Sequence, residues 1–156
     1  LNRPREWYVG MTSVFLDANI FFAAVRSHDG GSYFVIELAK QKKLHTVTVA
    51  HALAEVERNI GKKIGDDALL RHYENLLAIQ SKIQSLESVP IGLEYHLRLC
   101  MPEKDIPIAL GALLSGVSVL LTLDKKHLLQ NQNLLALHLP FLIMTPGTFL
   151  QNMFKS

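Results

Sequence analysis

The run Val14-Phe15-Leu16 stops at Asp17, and nothing else in the chain limits the fold so strongly. It has no polar alternation, so it has no face to offer water. A short strand of that kind belongs at the centre of a parallel sheet, covered on both faces by helices. Its closing carboxylate then sits at a strand end, where open α/β sheets bind their ligands.

Strand and helix signals alternate along the rest of the chain. Strands are predicted over residues 13–16, 46–49, 117–122 and 141–144, with a short one over 89–91. Helices are predicted over 20–25, 33–43 (capped by Ser32) and 50–60. A long one follows over 68–86, capped by Asp66-Asp67, with an apolar stripe of Leu69, Leu70, Tyr73, Leu76, Leu77, Ile79 and Ile83. Further helices are expected over 93–100, 105–114, 125–130 and 148–154. Pro107 is tolerated in a first turn, and Gly116 stops its helix. This alternation implies an α/β fold: a three-layer α/β/α sandwich with a central parallel sheet.

The 156 residues favour one domain, placed at 13–154. Residues 1–12 read as an extension, native or left over from cloning, with Met11 as a natural start. Hydrophobic content of 49% against 19% charged residues supports a sizeable core and argues against disorder. A net charge of +2 neither requires nor excludes a nucleic-acid partner. The single cysteine, Cys100, allows no internal disulfide, reads as a small buried hydrophobe, and suits a cytoplasmic protein. No secretory signal or membrane span is expected: the stretch 106–123 is interrupted by Pro107, small polar residues and two glycines.

Four acidic residues fall where predicted elements meet loops: Asp17, Glu55, Asp105 and Asp124. Carboxylates converging in one crevice repel unless a cation neutralises them. Oxygen donors suit Mg²⁺ or Mn²⁺, and metal-assisted phosphodiester hydrolysis is the corresponding chemistry. Taken singly, Asp17, Asp105 and Asp124 are ordinary helix caps, and Glu55 is an ordinary helix residue beside Asn59 and Arg58. Cap and ligand are compatible, since one carboxylate oxygen can do each. The competing Glu57 reads as solvated.

The motifs carry a resemblance. Val14-Phe15-Leu16-Asp17-Ala18-Asn19-Ile20 resembles the opening of a PIN domain. Ala52-Leu53-Ala54-Glu55-Val56-Glu57 is similar to the second motif of that family. Glu103-Lys104-Asp105-Ile106-Pro107-Ile108-Ala109-Leu110 is similar to the third, and Leu121-Thr122-Leu123-Asp124-Lys125-Lys126-His127-Leu128 to the fourth. Ile143-Met144-Thr145-Pro146-Gly147-Thr148-Phe149-Leu150 is like the ending of a bacterial and archaeal subgroup.

The resemblance implies a metal-dependent endoribonuclease, among which are VapC-type toxins of toxin–antitoxin pairs. It implies Asp17, Glu55, Asp105 and Asp124 as catalytic metal ligands for Mg²⁺ or Mn²⁺, with Asn19 and Thr122 orienting them. It implies RNA products with 5′-phosphate and 3′-hydroxyl ends, a homodimer, and an antitoxin protein as a further partner. Surfaces for the dimer would come from the helix over 68–86 and from Phe149, Leu150 and Phe154. The chain departs from the family pattern once: a frequent further acid, two residues after Asp124, is Lys126 here. That weakens a second metal site.

Lys104, Lys125 and Lys126, beside the expected ligands, together with Arg26, are the expected RNA contacts. Phe21, Phe22 and Tyr33 are core residues or base-stacking platforms. His51 and His127 are expected at the surface or behind the ligands. Two further readings stay open. One is a catalytically inactive PIN-fold module that binds RNA or protein, motivated by Lys126. The other is an acyl-phosphate chemistry at Asp17, disfavoured because Asp17-Ala18-Asn19 lacks a second aspartate.

Overall fold

The computed structural model describes residues 11–155. The expected extension over 1–12 therefore lies almost wholly outside the described residues. Five strands form one sheet: β1 (Thr12–Leu16), β2 (Leu44–Thr48), β3 (Lys82–Ile83), β4 (Val119–Leu121) and β5 (Leu142–Met144). Their order is β3-β2-β1-β4-β5, and every pairing is parallel. Val14, Phe15 and Leu16 are fully buried, as a central strand requires.

The helices are α1 (Ala18–Arg26), α2 (Gly31–Lys40), α3 (Ala50–Lys63), α4 (Asp66–Ile79), α5 (Ile91–Arg98), α6 (Ile106–Ser115), α7 (Gln132–Leu135) and α8 (Pro146–Met153). Helices α1 to α4 pack on one another, and α8 packs on α2. Helix α6, with α5 beside it, covers the Phe15 face of the sheet. Right-handed crossovers put the two groups on opposite faces. At Gly111 the contact is so close that a Cβ would lie 2.5 Å from Val49 Cγ1 and 2.7 Å from Phe15 Cε2.

Chain connections leave β1 and β4 in opposite directions. The switch point of the sheet, where such folds open a crevice, is therefore between these two strands. Asp17 follows the first strand, and Thr122 to Asp124 follow the second.

Several expected boundaries are corrected. The long helix ends at Ile79, not near residue 86: Gln80 takes a left-handed conformation (φ 49°), which frees Lys82 and Ile83 to pair with β2. Of the expected apolar stripe, Leu70 and Leu77 face solvent, and the buried positions are Ala68, His72 and Ile79. Val89-Pro90-Ile91 is no strand; Pro90 precedes the first turn of α5. Helix α2 is capped by Gly30 rather than Ser32, which is buried in its first turn. Asp66 and Asp67 occupy the first turn of α4 instead of capping it. Helix α7 was not expected. Cys100 is a half-buried free thiol. No helix among the described residues is long and apolar enough to cross a membrane.

Candidate metal centre

Asp17 is where the end of β1 becomes α1. Its Oδ1 accepts from Ala18 N–H at 2.6 Å, and its Oδ2 accepts from the Thr122 hydroxyl at 2.7 Å. The residue is buried, at 8% exposure. Asn19 Nδ2 lies 3.4 Å from both Asp17 Oδ2 and Thr122 Oγ1, and Asn19 Oδ1 accepts from Leu123 N–H at 3.1 Å. Asn19 and Thr122 thus tie the ends of β1 and β4 together around one carboxylate.

Asp105 closes a 3₁₀ turn (Glu103–Asp105) ahead of α6, and its side chain makes no capping bond. Asp124 does cap: its Oδ1 accepts from His127 N–H at 2.9 Å. The turn that follows, Lys125–Leu129, is π-helical, a form enriched at functional sites. It brings His127 Nδ1 to 3.3 Å from both Asp105 Oδ2 and Asp124 Oδ2. One Nδ1–H cannot aim at both, and Asp105 Oδ2 is left buried without a hydrogen bond among the described residues. Donor atoms of Asp105, Asp124 and His127 all lie within 4.8 Å of one another. Asp17 and Glu55 fall outside that tight group. Glu55, half-buried on α3, nevertheless acts electrostatically on Asp17 and Asp105.

The crevice is short of positive charge. Burial pushes the Asp17 carboxyl up to about 6, and the charges of Glu55 and Asp105 add to the rise against the hydrogen bonds from Thr122 and Ala18. Burial also raises Asp105; Lys104 opposes this, and Asp124 adds to it.

A model of the PIN domain matches residues 13–126. The chain belongs to the PIN domain family. In fold it is similar to the crystal structure of VapBC2 from Rickettsia felis bound to a DNA fragment from their promoter. That likeness has a TM-score of 0.62 at 18% identity, over 86% of this chain and 98% of that chain. At such identity it is a likeness of fold alone. No curated protein matches the chain by sequence.

Within this PIN fold the donor set fits a hard divalent cation: carboxylate oxygens, one of them orphaned, with an imidazole at the edge. His127 was expected only near the site, yet it sits between two of its carboxylates. The Asp-x-x-His spacing is the signal, since residues three apart on a helical turn are neighbours. Asn131 went unnoticed in the sequence. Its Nδ2 donates to Cys100 O and His127 O, both at 2.8 Å, and joins the segment before Asp105 to the π turn after Asp124.

Lys104, Lys125 and Lys126 are exposed around this centre. Arg26 is exposed at the far end of α1, roughly 12 Å along the helix from its start. It stands 6.0 Å from the Phe22 ring centre, with Lys63 Nζ at 5.8 Å. Phe21 is core, Phe22 lies partly buried under these two cations, and Tyr33 stacks on His28. Glu57 is exposed and accepts from the Tyr73 hydroxyl.

Proposed function

We propose that the chain is a metal-dependent endoribonuclease of the PIN family. The observation that carries this reading is the orphaned Asp105 Oδ2 beside Asp124, with the more deeply buried Asp17 at the same switch point. Asp17, Asp105 and Asp124 would hold Mg²⁺ or Mn²⁺, with Glu55 as a further ligand or as the group that orients water. Such an ion supplies Lewis acidity toward a phosphoryl oxygen and makes water a better nucleophile at neutral pH. The chain's own contribution is positional. Thr122 and Asn19 fix the Asp17 carboxylate, and Asn131 fixes the two segments that carry Asp105 and Asp124. Lys104, Lys125 and Lys126 would hold the RNA backbone.

A toxin role with an antitoxin partner is the biological setting we favour, supported by the fold likeness to VapBC2. Helix α4 exposes Leu70, Tyr73 and Leu77 along one face, an apolar stripe suited to a partner protein or a second copy. Of the C-terminal residues expected at such a surface, Phe149 is buried in the core and Leu150 is half-buried, which leaves Phe154 exposed.

The deciding experiment is calorimetric Mn²⁺ binding by the wild type and Asp17→Asn, beside cleavage of structured RNA. Binding and cleavage that are both lost in the variant support the nuclease. RNA binding that ignores chelator, with no cleavage, favours the inactive binding module suggested by Lys126.

A further inference from the structure

A cleft of about 240 Å³ opens beside the metal centre, lined in part by Ala23, Gly31, Ser32, Leu123, Pro146 and Gly147. Leu123 links the two places: it lies between Thr122 and Asp124, and Asn19 holds its backbone. The starts of α2 and α8 form the other wall. They touch so closely that a Cβ on Gly31 would meet Gly147 N at 3.1 Å and Pro146 Cβ at 3.2 Å. That wall is glycine backbone, the Pro146 ring and the hydroxyl side chains of Ser32 and Thr145.

The lining carries no Lys or Arg. A phosphate would find no countercharge there, although two helix N-termini are near. A flat apolar ring with a hydrogen-bonding edge suits the cleft better. Ser32 supplies the polar contact: it is 5% exposed, and its hydroxyl has no hydrogen-bond partner among the described residues. The hydroxyl is open to the cleft, where an incoming ligand can bond it directly.

We propose that this cleft seats one nucleobase of the RNA strand being cut, next to the scissile phosphate, and that Ser32 reads its edge. The inference rests on the nuclease reading and adds a base preference to it. Single-stranded RNA is recognised in this way, through unstacked bases set against side chains and bonded along their edges.

Two variants outside the metal centre test it. Ala23→Phe fills the cleft from α1, and Ser32→Ala removes the hydroxyl. With short RNAs that differ at one base beside the cut, the wild type should favour one base about tenfold or more in kcat/KM. Ala23→Phe should erase that preference through KM, and Ser32→Ala should weaken it, with kcat changed less than twofold in both. A preference untouched by both variants overturns the proposal.

Binding without turnover gives a second arm. The four nucleoside 5′-monophosphates are titrated into protein in EDTA and followed by amide chemical shifts. Movement of Gly31, Ser32 and Gly147 in the wild type, absent in Ala23→Phe, supports the seat; stationary amides overturn it. A wild type that cuts no RNA with any divalent metal overturns the nuclease reading instead, and the titration then decides the cleft alone.

Discussion

The Thr122 hydroxyl donates to Asp17 Oδ2 at 2.7 Å, joining residues 105 positions apart in sequence. Both side chains stand at strand ends on either side of the switch point. Thr122 Oγ1 also accepts from Asp124 N–H at 3.1 Å, so one hydroxyl positions two of the proposed ligands. Thr122→Val keeps the shape and removes both bonds. It should cut kcat by ten- to a hundredfold, as losses behind metal ligands commonly do, with Mn²⁺ affinity reduced in parallel.

Asp17→Asn should abolish cleavage and yet stabilise the metal-free protein. The Asp17 carboxyl is raised from 3.8 to about 6, so the unfolded chain gives up this proton more readily than the folded one. Stability from this group is therefore greatest at low pH and falls as pH rises through 6. The difference corresponds to roughly 3 kcal/mol at most. In EDTA at pH 8 the variant should melt several degrees above the wild type. Mn²⁺ should raise the wild-type Tm more than that of the variant. A variant that melts lower in EDTA would contradict the proposed cost.

His72 predicts the opposite slope. It is buried on α4, neither ring nitrogen has a hydrogen-bond partner among the described residues, and burial lowers its pKa below 6.5. The unfolded chain then takes up a proton first. The contribution is complete above pH 6.5 and is lost as pH falls below that value. His72→Leu should flatten urea-derived stability between pH 7 and pH 5. An unchanged slope would refute this role for His72.

Gly111→Ala should destabilise the protein by about 1–3 kcal/mol, because Val49 and Phe15 are buried and have little room to withdraw. Urea denaturation measures this directly, and a change below about 0.5 kcal/mol would show that α6 can shift away from the sheet.

Replacing Lys104, Lys125 and Lys126 with alanine together should weaken RNA binding and its salt dependence. Each lost phosphate contact lowers the slope of log K against log salt by about 0.7 for single strands, so three contacts give about 2. Fluorescence anisotropy across a salt series reads this, and an unchanged slope would show these lysines to be merely solvated.

The local sequence determined the central strand, the alternation of elements and the PIN motifs. An unbroken apolar run can be satisfied only by burial on both faces, and a carboxylate at its end can only stop it. The sequence also marked Asp17, Asp105, Asp124 and Glu55 as residues at element ends or on a helix. Only the tertiary structure decided which of their neighbours act with them. His127 enters because a π turn brings its ring between Asp105 and Asp124, and Asn131 enters because it bridges two segments far apart in the chain. The apolar pattern through residue 83 could not show where α4 stops, because Lys82 and Ile83 leave the helix to pair with β2. Ser32 has the side chain of a cap, but the helix begins one residue earlier, at Gly31, whose backbone lies against Gly147, so Ser32 falls in its first turn. Periodicity reports what a segment prefers locally; partners distant in sequence decide these cases through contacts that no local pattern encodes.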